Sequence, residues 1–269
     1  TLHFLRRTLS RLEPDAVLSF GELWNSFVLL ATIGQGHRIT ISDRCQPLKR
    51  FPRHQEWLRT FLYPRAHRII VQTEVARAHY AKRFSDDCLR TIGNPIPPVA
   101  SEAGESRKKQ VLNVARLINT KHHDRLIRIF AATATSDWEL VILGDDAQGQ
   151  RNRKRIIDLA SELGVGDRVL IQGAVTDVTG YYRKASIFAF PSSSEGFPNA
   201  LAEAMAHGMS CVSYDCCAGP ADLIVDSVSG YLVPVFDDKA FADRLRRLMA
   251  DERLREQMGR AARERTMAF

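Results

Sequence analysis

The sequence predicts an α/β protein made of two doubly wound, parallel-sheet domains, and two patterns carry that expectation. Short apolar runs alternate with amphipathic stretches along nearly the whole chain, which is how strands joined by covering helices read. The alternation breaks once, at residues 93–109, where Pro95, Pro97, Pro98 and several charges give the composition of a linker. The expected division is therefore 1–98, a linker at 99–109, and 110–269. A chain of 269 residues is long enough for two cores.

In the first part, residues 2–12 read as an Arg-bearing helix and 16–20 as a short apolar strand. Residues 23–33 are almost all apolar and predict a buried helix. A strand at 38–42 leads into a polar, basic loop at 43–53. Residues 54–63 predict a helix with Trp57, Leu58, Phe61 and Leu62 on one side. A strand at 68–71 follows, then a helix capped by Thr73 and running to 83, then a strand at 89–92.

The second part opens with a strand at 110–115, which leads through Arg116 and Lys121 into a helix ending near 135. Strands are expected at 138–143, 169–172, 187–190 and 211–214. Helices are expected at 152–163, at 221–225, and as a short helix begun by Gly173-Ala174-Val175-Thr176-Asp177 and running to Lys184. A turn and short strand at 230–234 precede two amphipathic helices, 238–249 and 252–265. Ligands of such sheets bind at the carboxyl ends of the strands, and Arg116, Gly173 and Glu195 all fall just past predicted strand ends.

Apolar residues make up 45% of the chain and the mean hydropathy is −0.21. No run approaches ~18 uninterrupted apolar residues, so no membrane span is predicted. The start lacks the apolar core of a secretory signal, and a cytoplasmic location is expected, peripheral on the inner face of the cytoplasmic membrane. Cys45, Cys88, Cys211, Cys216 and Cys217 are odd in number and fit no metal spacing, so core or loop thiols are expected. His122-His123 predicts a helix start facing water rather than a metal pair, and His207 a residue suited to a helix C-terminus.

Charge is unevenly spread. Residues 1–98 hold 15 Lys and Arg against 8 Asp and Glu, whereas the rest holds 23 of each. Nucleic acid is not the expected partner, because no recognised motif and no aromatics interleaved with the basic residues are seen. An anionic membrane surface fits, with Arg6, Arg7, Arg11, Lys49, Arg50, Arg53 and Arg59 available to headgroups. A phosphorylated acceptor or a plain solvated basic face would leave the same pattern.

Residues 190–208 carry the chemistry. They read as a strand end, a polar loop, and a helix with Pro198 in its first turn and Gly208 as its left-handed stop. Ala200, Ala202, Ala204 and Ala206 make that helix narrow. Glu203 stands among them, costly unless paired with a polar group. Glu195 lies in the loop before. The first amides of the helix and its positive dipole end favour anions. From spacing alone, a solvated Glu195 and an exposed Glu203 would look the same.

The run Ser194-Glu195-Gly196-Phe197-Pro198-Asn199-Ala200-Leu201-Ala202-Glu203, continuing through Gly208, resembles the signature of retaining glycosyltransferases of family 4. The segments at 211–215 and 219–224 extend the likeness, which covers about 110–265. These are GT-B enzymes with two Rossmann-like domains and a nucleotide-sugar donor. The resemblance implies that Arg116 and Lys121 bind the donor phosphates, although Ala115 and His122 stand where the family has glycines. It implies that Glu203 binds the ribose and that Glu195 stands beside the donor sugar as the catalytic acid. Gly196, Phe197, Pro198, Asn199, Ala200 and Leu201, with Gly173 and Val175, would complete the donor site. Departing diphosphate needs its charge stabilised; the family uses cations and helix amides for this, so no cofactor and no metal are expected.

Residues 41–44 and 62–74 resemble acceptor-domain segments of polysaccharide-assembly members. The glycine-rich loop and crossing helix of full members are missing, so the first domain is expected to be truncated. The function implied is transfer of a hexose or N-acetylhexosamine from a UDP- or GDP-sugar to a cell-surface glycan or a polyprenyl-diphosphate-linked acceptor. The alternatives are a non-catalytic nucleotide-sugar-binding remnant and a GT-B epimerase.

Overall fold

The computed structural model describes residues 1–97, 99, 107–133 and 135–269. The expected linker at 99–109 lies mostly outside them. Contacts group the chain into two units. The first is Thr1–Asn94 with Glu195–Phe197 and Cys217–Gly219; the second is Pro95–Ser194 with Pro198–Cys216 and Pro220–Phe269.

In the first unit, α1 (Leu2–Leu12) precedes β1 (Val17–Phe20), α2 (Glu22–Ala31), β2 (Ile39–Ser42) and α3 (Arg53–Leu62). Then come β3 (Arg68–Val71), α4 (Glu74–Tyr80) and β4 (Leu89–Thr91). The strands are parallel and lie in the order β1-β2-β3-β4. Right-handed crossovers that step steadily one way lay their helices on one face of the sheet. The side chains follow: Ile39, Ile41, Ile69, Val71 and Leu89 form one core with Leu29, Leu62, Tyr63, Tyr80 and Phe84. Leu18 and Phe20 alternate to the other side and are exposed. Thr73 caps α4, its hydroxyl accepting from the Ala76 amide at 3.1 Å, but the helix ends at Tyr80 rather than at 83.

Two helices depart from the sequence reading. Residues 23–33 are not a buried helix: α2 buries Asn25, Ser26, Leu29 and Ala31, while Leu23 and Trp24 are 58% and 59% exposed. Only one face of a helix can meet a sheet, and apolar composition does not say which. On α3, Leu62 is buried and Leu58 packs against the core, but Trp57 and Phe61 are 65% and 51% exposed. The four apolar residues span the boundary of the packed face instead of lying within it.

Beneath α3 is a buried polar network centred on Asp43, the residue after β2. Tyr63 donates to its Oδ1 at 2.8 Å and Asn25 at 2.7 Å, Arg59 donates to Oδ2 at 3.0 Å, and the Tyr80 hydroxyl also bonds Oδ2. Burial pushes the Asp43 carboxyl up, and its donors and the Arg59 charge pull it back. Arg59 is 5% exposed and also meets Glu56 at 3.0 Å. It is therefore not available to lipid headgroups, contrary to expectation. Arg6 is likewise engaged, donating to the Ala31 and Ile33 carbonyls at the end of α2.

The second unit runs β5 (Lys108–Val114), α5 (His123–Thr133), β6 (Glu139–Leu143), α6 (Asn152–Glu162), β7 (Val169–Gln172), α7 (Thr179–Lys184) and β8 (Ala185–Phe190). It continues with α8 (Asn199–Ala206), β9 (Ser210–Tyr214), α9 (Pro220–Leu223), β10 (Tyr231–Val233), α10 (Asp238–Ala250) and α11 (Glu252–Thr266). The sheet is parallel with order β10-β9-β8-β5-β6-β7. Its direction of winding reverses between β5 and β8. Every residue of β8 and β9 is buried, as sheets covered on both faces require. The core gathers Leu126, Ile127 and Phe130 of α5, Ile156 of α6, and Phe241, Leu245 and Leu248 of α10. Full burial of each such side chain stabilises by roughly 1.5–3 kcal/mol. At Gly259 in α11 a Cβ would stand 2.1 Å from the Gly208 carbonyl oxygen, so glycine there lets α11 close on the end of α8. All five cysteines are free thiols.

His123 does not face water. It opens α5 at 3% exposure, and its Nε2 has no hydrogen-bond partner. Burial pushes its imidazole down to about 4.

Two outcomes are expected from these buried groups. Arg59→Met should destabilise the chain by roughly 3–5 kcal/mol because it strands Asp43, and adding Asp43→Asn should restore much of the loss; urea unfolding of the four-member cycle measures both. The folded His123 ring titrates below its unfolded value of 6.5. The unfolded chain therefore takes a proton that the fold refuses, and stability falls as pH drops from 6.5 toward 4. The loss should reach about 3 kcal/mol and be absent in His123→Leu, read from urea midpoints across that range.

Candidate functional site

Where a parallel sheet reverses its winding, the loops leaving neighbouring strands diverge and leave a crevice at the carboxyl ends. Here that place is between β5 and β8. The chain leaving β5 is laid tightly on the chain leaving β6: Ala115 donates to the Leu143 carbonyl at 3.0 Å and Leu117 to the Asp145 carbonyl at 2.8 Å. Gly144 makes this possible. Its φ is +145°, and a Cβ on it would stand 1.9 Å from the Ala115 carbonyl oxygen, so no other residue fits without moving the loop. Buried Asn152 donates to the Leu117 carbonyl at 3.0 Å and to the Asn119 side chain at 3.2 Å. Asp146 accepts from the Asn152 and Arg153 amides at 2.7 and 3.0 Å, closing the first turn of α6. From this braced loop Arg116 projects with an exposed side chain.

Lys121 lies at the other end of the same loop. It is half-buried, with Nζ 5.5 Å from the ring centre of Phe190, the last residue of β8. Arg116 and Lys121 thus stand on either side of the reversal. The loop is tied to the one leaving β8: Ser193 donates its amide to the Thr120 carbonyl at 3.0 Å, and His122 Nε2 meets Ser193 Oγ at 2.7 Å. His122 has φ +48°, a left-handed conformation that explains why glycine suits this position. In this chain the histidine offsets that strain with the Ser193 bond and an edge-on contact to Phe236 at 5.0 Å. Burial pushes the His122 imidazole down.

The helix after the Ser-rich loop is α8. Pro198 is its N-cap rather than a first-turn residue, its carbonyl accepting from Leu201 at 3.0 Å and Ala202 at 3.1 Å. Asn199 is exposed, Ala200 half-buried and Leu201 buried. Glu203 is half-buried and does have the partner its setting demands: Tyr182 on α7 donates to Oε2 at 2.9 Å. Burial, and then the Glu203 charge, push the Tyr182 hydroxyl far up, so it stays a donor. Arg107 donates to the Tyr182 and Ala185 carbonyls at 2.8 and 2.6 Å, fastening the end of α7. His207 caps α8; its ring stacks on Tyr182 at 5.0 Å and its Nδ1 meets the Glu203 carbonyl at 2.8 Å. Burial pushes its imidazole down, so the expected cation at this helix end is disfavoured. Glu203, Thr176, Asp177, Tyr182 and Arg183 line a cavity of about 560 Å³.

Gly173, at the end of β7, lies 3.4 Å (measured from a notional Cβ) from Arg153 Nη1 and 3.7 Å from Asp145; Val175 beside it is half-buried. The second unit therefore holds Arg116, Lys121, Gly173, Val175, Glu203 and Pro198 to Leu201. Glu195, Gly196 and Phe197 group by contact with the first unit; Glu195 is half-buried and Phe197 buried. Sequence reasoning missed Tyr182, Ser193 and Asn152. Only the need of Glu203 for a partner signalled the first, and nothing in the chain signalled the other two. Among the described residues, no three His, Cys, Asp or Glu side chains are grouped to hold a metal.

Residues 100–265 match the family described as Glycosyl transferases group 1. The amylovoran biosynthesis glycosyltransferase AmsD of Erwinia amylovora is 26% identical over 93% of this chain and 72% of its own length. A Campylobacter jejuni N-acetylgalactosaminyltransferase, named for a diphospho-undecaprenol-linked acceptor, is 28% identical over 91% of this chain and 70% of its own. Two further curated relatives are spanned for only 19% and 46% of their lengths. Among solved structures, S. aureus TarM in a complex that includes UDP is similar with a TM-score of 0.83 at 20% identity, over 99% of this chain and 55% of that one. Anabaena HepE with UDP-glucose gives 0.85 at 17%, over 99% and 77%. The fold class is GT-B, α/β with two parallel sheets. The strand order, the loops at its reversal and the match over 100–265 agree: the chain belongs to the group 1 glycosyltransferases.

Proposed function

We propose that this chain acts as a retaining glycosyltransferase, moving a hexose or N-acetylhexosamine from a nucleotide diphosphate sugar to a cell-surface glycan or lipid-linked acceptor. The observation that carries the reading is Glu203, a carboxylate on a small-residue helix, oriented by the Tyr182 hydroxyl at 2.9 Å and lining a cavity of about 560 Å³. Such a group accepts two vicinal hydroxyls well, and a ribose offers them. Arg116 and Lys121 flank the reversal and supply cations for a diphosphate, and the first amides of α8 add a positive dipole end. HepE, solved with UDP-glucose, and the Campylobacter relative, named for a polyprenyl-diphosphate acceptor, lend support on donor and acceptor.

In transfer, an acceptor hydroxyl oxygen bonds to the anomeric carbon while the bond from that carbon to the diphosphate breaks, its electron pair leaving on the phosphate oxygen, and the hydroxyl proton passes to that departing phosphate. Arg116, Lys121 and the helix start stabilise that charge where it develops, so no metal is required. Glu195 is assigned to the sugar side, holding hydroxyls and steadying charge at the reacting carbon. Retention would be read from the anomeric configuration of the product by NMR.

Glu203→Ala should weaken UDP or GDP binding by about 1–3 kcal/mol, and Tyr182→Phe by about 1 kcal/mol, both by calorimetry. Glu195→Ala should lower turnover more than nucleotide affinity. Unchanged affinity in Glu203→Ala would place the nucleotide elsewhere. Donor binding should persist in excess EDTA, and the pair Arg116→Ala and Lys121→Ala should abolish diphosphate affinity with the unfolding midpoint kept. Restoration by Mg²⁺ or Mn²⁺ of binding lost to EDTA would contradict the cation assignment.

A further inference from the structure

We propose that Glu22, at the start of α2, is a positioning residue for transfer: it holds the peptide on which the loop carrying Glu195 is seated. The proposal rests on the transfer reading, in which Glu195 stands beside the donor sugar.

Between β2 and α3 the chain runs through residues 43–52 without regular structure, so its peptide groups need partners from elsewhere. Glu22 supplies one: its Oε1 accepts from the Cys45 amide at 2.9 Å and from the Arg44 amide at 3.2 Å. The start of α2 is itself fixed to the end of β2. Gly21 donates its amide to the Ser42 carbonyl at 3.0 Å, and the Asn25 side chain donates to the same carbonyl at 3.0 Å. Glu22 is half-buried. Burial pushes its carboxyl up, but the Cys45 thiol and the Arg44 and Cys45 amides outweigh that and bring it below the usual range. It accepts as an anion, at the end of α2 where the dipole favours one.

The far edge of the same peptide meets Gly196. In a trans peptide the carbonyl and the amide point opposite ways, and none of the peptide bonds is cis. With the Cys45 amide turned to Glu22, the Arg44 carbonyl faces away from it, and a Cβ on Gly196 would collide with that carbonyl. Glycine is what lets the backbone come so close. Gly196 is bonded to Glu195, and residues 195–197 group with the first unit. The segment Cys217–Gly219 also returns to this unit, and the Gln46 side chain hydrogen-bonds the Cys217 sulfur. Residues 44–46 are therefore a seat for two returning segments, and Glu22 sets its orientation. Arg116, Lys121 and Glu203 belong to the second unit, so Glu22 bears on turnover and not on nucleotide affinity.

The test compares Glu22→Ala and Glu22→Gln with the unmodified chain; glutamine keeps an accepting oxygen without the charge. Turnover is read as UDP released from UDP-glucose or UDP-N-acetylgalactosamine, with water or a lipid-linked glycan as acceptor. Glu22→Ala should lower turnover by about tenfold to a hundredfold, with UDP affinity unchanged by calorimetry. Glu22→Gln should recover most of that loss. In a Glu195→Ala background Glu22→Ala should cost scarcely anything more, because it acts through Glu195. Deuterium uptake should rise together at 44–46 and 195–197 in Glu22→Ala, and stay unchanged across β5 and β6. That rise in a chain that releases no UDP would support the seat and contradict the transfer reading. Additive losses in the double variant, weakened UDP binding, or faster uptake at 44–46 with none at 195–197 would overturn the proposal.

Discussion

The reversal of winding between β5 and β8 is the constraint on which the candidate site depends. Strands on its two sides send their connections in opposite directions, so neither connection covers the carboxyl ends. What the chain adds is precision of loop placement. Gly144 lets the Ala115 carbonyl lie where any side chain would collide, and Asn152 and Asp146 satisfy the polar backbone that this close approach would otherwise strand. Arg116 and Lys121 stand at the two ends of the loop that is braced in this way.

A second constraint is electrostatic. A carboxylate among alanines on α8 needs a polar partner, and the Tyr182 hydroxyl, held protonated by burial, donates to it. The same rule governs the first unit, where Asp43 is surrounded by Asn25, Arg59, Tyr63 and Tyr80. There the four partners come from α2, α3, the turn that follows α3, and α4, which ties these helices to the end of β2. Buried charge is thus structural in one unit and lines a cavity in the other.

Much of the second unit was legible. The runs at 110–115, 138–143, 169–172 and 211–214 became β5, β6, β7 and β9; the inner strands are apolar because both faces of the sheet are covered, while edge strand β7 leaves Leu170 exposed. The run read at 187–190 starts at Ala185 in the structure, since the short helix before it ends without a glycine stop. Glu203 was legible as a charge needing a partner. Its partner was not, because Tyr182 lies 21 residues away with no pattern linking the two. The outward faces of α2 and α3 were illegible for another reason. An apolar count fixes how much surface a helix could bury, while the sheet beneath decides how much it does. His123 looked like a polar start to α5, and only the fold shows it closed off from water.

The central claim is that Glu203 holds the ribose of a nucleotide whose diphosphate lies between Arg116 and Lys121. Calorimetry of UDP against 2′,3′-dideoxy-UDP, on the chain and on Glu203→Ala, measures it most directly. Removing the hydroxyls and removing the carboxylate should each cost affinity by a similar amount, and removing both should cost scarcely more than either alone. Fully additive losses would mean that the carboxylate and the ribose never meet.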